Sequence, residues 1–235
     1  MDLLTYIISS SLEYLSFFIF LIAQFRFSLK ENLSQITLIS LLLAFVSYSL
    51  INADLNGVLP LIQFIFVLFY IYLYMKVSIL NALIKFFTGY IVYGLAQTCI
   101  IAAAMHLELV QDKIEAGTRD GYYIQITTVL VILLFSYLIV LLKGGLSFIE
   151  ARSRFSRKSI TGTNKLFIVF IVITFLVTIF TNMYFLGKDN PPLLEIAFVF
   201  LIFIVLLFYL SIRKDEGNDR GNLKSSSSKN ERNQP

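Results

Sequence analysis

The sequence predicts an all-α fold: a polytopic integral membrane helical bundle of seven transmembrane helices, N-terminus outside and C-terminus cytoplasmic. Three observations predict it. Of 235 residues, 57% are hydrophobic and only 14% charged, against roughly 45–50% apolar and about 25% charged in soluble domains. Seven apolar runs are of the order of the roughly 20 residues that carry a helix across about 30 Å of hydrocarbon. The basic residues divide unequally between the two sets of loops that seven crossings create. No run alternates in the period-two manner of a membrane barrel strand.

The first run is Leu3–Gln24. Asp2 is the only charge ahead of it, no small-x-small cleavage site follows Gln24, and Glu13 interrupts its middle. It therefore reads as a retained span and not as a signal peptide. Leu33–Ile51 is the second run, and Asn56–Met75 the third. Pro60 lies near the start of the third, where the first turn of a helix tolerates it. Its segment "LIQFIFVLFYIYLY" is crowded with aromatics, and Tyr72 and Tyr74 fit an interfacial belt. Phe86–Met105 is the fourth and contains Cys99, the one cysteine, so no disulfide framework is available. Tyr122–Leu142, Leu166–Leu186 and Leu193–Ile212 complete the set. Residues 1–213 thus form a seven-helix transmembrane domain. Residues 214–235, ending in "SSSSKNERNQP", lack any apolar pattern and read as a disordered cytoplasmic tail.

Orientation follows from charge. One set of loops holds Arg26, Lys30, Lys76, Lys85, Lys143, Arg152, Arg154, Arg157, Lys158, Lys165 and the six basic residues of the tail. The other holds Lys113, Arg119 and Lys188. Sixteen of 19 basic residues on one side places that side in the cytoplasm and the protein in the cell membrane as a multi-pass chain. Arg152, Arg154, Arg157 and Lys158, grouped around Phe155, form a basic patch facing anionic headgroups, each charge contributing about 1 kcal/mol near the surface. The simplest role for it is a topology anchor, the other a docking site for lipid or a partner.

Polar residues inside the spans are the candidate site. Thr5, Ser9, Glu13 and Ser16 recur at helical spacing in the first run. Lys85, Gly89, Tyr93 and Gln97, each four apart, form a stripe along the fourth, and Gly89 and Gly94 admit a close neighbour. Glu13, Tyr93 and Gln97 fall at similar depth, so Glu13 is expected to hydrogen-bond Tyr93 or Gln97. Lys85 lies roughly 15 Å lower at 1.5 Å per residue, and is expected to snorkel to the cytoplasmic surface. Such a cluster either holds helices together or responds to a proton or ligand.

Catalysis is not expected. Cys99 and His106 share a helix face but stand about 10 Å apart along the axis, whereas a thiol–imidazole hydrogen bond needs about 3 Å. No HExxH, GxSxG or phosphate-cradling glycine loop occurs. No loop reaches the 50 or so residues of an autonomous domain. No metal, cofactor or nucleic-acid partner is expected.

The number of spans, their polarity, the short connections, and the runs "KVSILNALIKFFTGYIVYGLAQ", "KLFIVFIVITFLVTIF" and "LEIAFVFLIFIVLLFYLSIRK" resemble the membrane sensor half of accessory-gene-regulator-type quorum-sensing histidine kinases over roughly residues 1–214. The resemblance implies a bundle that receives a secreted peptide. It departs from that family after Arg213, where a phosphoacceptor helix and ATP-binding domain would follow; the only histidine is His106. The implied function is a kinase-less, receptor-like protein that senses an extracellular peptide and acts through a signalling partner or a homo-oligomer. The alternative is a small transporter or accessory permease subunit, against which stand the lack of an internal repeat and the placement of Pro60, Pro191 and Pro192 at span edges.

Overall fold

In the computed structural model the described residues are 2–53, 55, 58–77, 79–110 and 117–142, with helical pieces at 169–170, 172–173, 176–177, 195–199, 201–203, 205–206 and 209. Among them there is no β-strand. Five helices follow in order: α1 (Leu3–Gln24), α2 (Leu29–Asn52), α3 (Leu59–Leu73), α4 (Ile79–His106) and α5 (Arg119–Leu141). Among the described residues, four stretches are long and apolar enough to cross a membrane: α1, α2, Asn81–His106 within α4, and α5. The third run contracts to a helix of 15 residues, about 22 Å at 1.5 Å per residue, which is short of a bilayer's hydrocarbon core. Pro60 occupies its first turn, as its missing N–H allows.

The helices end where the local chemistry stops them. After α1, Phe27 N–H bonds to the Ile22 carbonyl at 3.0 Å and Arg26 N–H to the Ala23 carbonyl at 3.2 Å. With Arg26 at φ 55°, this is a Schellman cap that turns the chain within four residues into α2. Glu108, also at φ 55°, closes α4 the same way, with Leu109 N–H on the Ala104 carbonyl at 2.9 Å. The N-terminus of α5 is capped by Thr118, whose hydroxyl accepts from Gly121 N–H at 3.1 Å. Helix α2 starts four residues before the apolar run does, because Lys30 and Glu31 extend its first turn outside the core.

Helix α1 is the centre of the bundle. It packs extensively on α2 and α5 and also touches α4, while α3 bridges α4 and α2. Aromatic side chains carry much of this packing. Phe17 meets Tyr93 edge-on at 5.6 Å between centroids, Phe18 meets Tyr70 at 5.0 Å, and Phe64 meets Phe86 at 4.9 Å. The outer faces are apolar as well: Leu38 of α2 is 70% exposed and Leu130 of α5 64%. Side chains of this kind, repeated along α2 and α5, suit hydrocarbon and not water.

Of the sixth and seventh runs only the helical pieces are described, where Phe170 and Phe203, both buried, meet edge-to-face at 5.7 Å. The basic patch Arg152, Arg154, Arg157 and Lys158 and the tail 214–235 lie outside the described residues.

Candidate functional site

Between Tyr6 and Tyr14, α1 hydrogen-bonds to α2, α3, α4 and α5. Tyr6 and the Ser47 hydroxyl of α2 lie 2.7 Å apart in a buried bond. Gln63 of α3 donates its amide to the Tyr14 hydroxyl. The Tyr93 hydroxyl of α4 donates to Glu13 Oε1 at 3.2 Å. The Gln125 amide of α5 donates to Glu13 Oε2 and lies 3.4 Å from Ser10 Oγ. Consecutive helical residues point about 100° apart, so Glu13 and Tyr14 reach helices on different sides of α1.

Glu13 is the hub of this arrangement. Each of its two oxygens accepts one bond, from a different helix, and a carboxylate has roughly four lone-pair sites. Acceptor capacity is therefore left over at a point where three helices converge. The neighbouring serines do not use it. Ser9 donates to the carbonyls of Thr5 at 2.9 Å and Tyr6 at 3.2 Å, and Ser16 to that of Glu13 at 2.8 Å. Those back-bonds satisfy buried hydroxyls within α1. Thr5 lies nearer the helix start, exposed and bonded to Asp2 at 2.8 Å.

The expected Glu13–Tyr93 bond is present. Gln97 is not among the hydrogen-bond partners of Glu13: one turn further along α4, it is replaced there by Gln125, which depth matching within the first and fourth runs did not consider. The sequence marks Gln125 as a lone amide in the apolar stretch "YYIQITTVLVILL", which signals a buried polar group but not its partner.

The stripe on α4 runs antiparallel to one on α1. Tyr93 faces Glu13 and Phe17, Gly89 faces Phe17 and Leu21, and Lys85 faces Phe25. Steps of four on each helix keep the two ridges in phase. A β-carbon on Gly89 would overlap the Leu21 side chain, so glycine is what lets α4 approach here. At Gly94, instead, the carbonyl accepts from the Thr98 hydroxyl at 2.7 Å.

Lys85 departs from expectation. It does not reach a surface: it is 1% exposed, and its Nζ stands 3.7 Å from the centre of the Phe27 ring and 5.1 Å from that of Phe25. The helix begins at Ile79, ahead of the apolar run, so Lys85 sits in its second turn against the α1–α2 connection. Cys99 is exposed on α4, and His106 closes the helix, also exposed. Among the described residues no group of three or more His, Cys, Asp or Glu side chains is placed to hold a metal ion. In comparisons with known proteins, the chain matches no family model, no curated protein and no solved structure.

Proposed function

We propose that this protein is a receptor-like multi-pass membrane protein in which a ligand arriving from outside is read as a rearrangement of helices around α1. In this reading the chain crosses the membrane seven times, N-terminus outside, with its basic loops facing the cytoplasm. The ligand is a secreted peptide, and the output passes to a signalling partner. The observation that supports it is the Glu13 junction: a single carboxylate shared by Tyr93 of α4 and Gln125 of α5. Its exchangeable bonds are worth only about 0.6 kcal/mol each on average, so modest ligand energy suffices to redistribute them. The skewed division of basic residues supports the orientation.

The test is hydrogen–deuterium exchange of the protein in nanodiscs, with and without the concentrated peptide fraction of conditioned medium from cells expressing it. Altered protection in α1, α4 and α5 is expected in the wild type and not in Glu13→Gln, which inserts and folds as before. An unchanged wild-type pattern, or a Glu13→Gln pattern that responds like the wild type, defeats the reading.

A second reading, a small transporter or accessory permease subunit, is favoured by one observation. Helix α3, at 15 residues, is shorter than the hydrocarbon core is thick and carries Gln63 to the same polar level, and short apolar helices beside a mid-membrane polar site recur in transporters. Solute uptake into proteoliposomes containing this protein alone distinguishes the two.

A further inference from the structure

We infer that Lys85, beside Phe25 and covered by Phe27, is a binding site for the phosphate of an anionic phospholipid headgroup. The amine has up to three N–H donors, yet Nζ is buried and makes no hydrogen bond among the described residues. Its neighbours are two aromatic rings. These attract a cation but accept no ordinary hydrogen bond, and they replace only part of the hydration that burial removes. The buried group therefore calls for an acceptor that the described residues do not supply.

The surroundings identify the acceptor. Lys85 touches the turn between α1 and α2, so that turn and the turn between α3 and α4 lie at the same end of the bundle. That end also carries Arg26, Lys30 and Lys76, all exposed, against Glu31 as the one acidic residue there among the described residues. A cationic rim at the end of apolar helices lies where the headgroups of a bilayer lie. Phosphate oxygens at that depth are abundant, anionic and strong acceptors.

Access is through Phe27. This side chain covers Nζ but is itself only partly buried, in a four-residue turn. Rotation of its ring exchanges an aromatic neighbour for a phosphate oxygen and leaves Phe25 in place. The inference rests only on the chain crossing a membrane, not on what the Glu13 junction does.

The experiment is thermal unfolding of the purified protein in detergent, titrated with phosphatidylglycerol or with phosphatidylcholine. Phosphatidylglycerol is expected to raise the midpoint more than phosphatidylcholine. Loss of a hydrogen bond to a charged group is expected to weaken its apparent affinity roughly tenfold in Lys85→Met. Lys30→Gln, which removes an exposed charge at the same end, is expected to retain most of the affinity. Should Lys85→Met itself unfold, Phe27→Ala provides the second arm, because uncovering Nζ strengthens the phosphatidylglycerol effect. The assignment is overturned if Lys85→Met responds like the wild type, if Lys30→Gln alone abolishes the effect, or if Phe27→Ala leaves it unchanged. Equal protection by inorganic phosphate overturns the lipid in favour of a free anion.

Discussion

Gly89 of α4 rests on Leu21 of α1 so closely that a β-carbon in its place would stand 3.2 Å from Leu21 Cγ and 3.4 Å from Phe17 Cε2. Leu21 is 1% exposed and has little room to withdraw. Gly89→Ala is therefore expected to destabilise the bundle by about 1–3 kcal/mol, the usual cost of overpacking. Leu21→Ala alone leaves a cavity and costs about 2–5 kcal/mol. The double variant should cost less than the sum, because the new methyl enters the space that Leu21 vacates. Thermal unfolding of the four proteins in detergent closes the cycle; strict additivity would mean that the two helices do not meet there.

The Glu13 junction predicts an order of effects. Glu13→Ala removes the acceptor of both the Tyr93 hydroxyl and the Gln125 amide, leaving partly buried donors unpaired at about 1–3 kcal/mol. Tyr93→Phe removes one donor and leaves Glu13 bound to Gln125, so its cost should be near the membrane average of about 0.6 kcal/mol. Unfolding midpoints in the order wild type, Tyr93→Phe, Glu13→Ala are expected. A Tyr93→Phe variant less stable than Glu13→Ala would place the weight of the junction in the Phe17–Tyr93 ring contact.

How far the sequence disclosed this arrangement depended on which property was being read. Helix α1 was legible to the residue because its apolar run and its hydrogen-bonded helix coincide. For α2 and α4 they do not: Lys30, Glu31 and Lys85 lie within helices but at the edge of hydropathy. A hydropathy boundary at Phe86 made Lys85 an interfacial residue, when backbone hydrogen bonding carries it inside. Depth alone narrowed the partner of Glu13 to Tyr93 or Gln97, since polar groups at one level in hydrocarbon find each other, and packing selects Tyr93. Gln125 could not be assigned by that route, because its distance from α1 depends on tertiary packing. Neither could the Schellman caps at Arg26 and Glu108, where non-glycine residues adopt positive φ and no glycine marks the turn.

Thr118 caps the first turn of α5, and Asp120 adds a negative charge near the positive end of the helix dipole. Thr118→Ala is expected to cost about 1 kcal/mol. The effect should be local: faster amide exchange at Gly121, whose N–H loses its acceptor, with exchange in the middle of α5 unaltered. Equal acceleration along the whole of α5 would show instead that the cap holds the helix in the bundle.

The orientation proposed from charge makes a prediction at both ends of the chain. Leaving aside Lys85, which is buried within α4, 15 of the 19 basic residues belong to loop regions and a tail assigned to one side, and translocating such segments is opposed by the rule that retains Lys and Arg in the cytoplasm. With Cys99 replaced by Ser, a cysteine introduced by Ser226→Cys should resist a membrane-impermeant maleimide in intact cells and react after permeabilisation. One introduced by Glu108→Cys, in the exposed cap that closes α4, should react in intact cells. The two positions are separated by an odd number of crossings if the fifth, sixth and seventh runs all span, so opposite reactivities are required. Labelling of both from outside would remove one crossing from the bundle, and reversal of the pair would turn the whole assembly over.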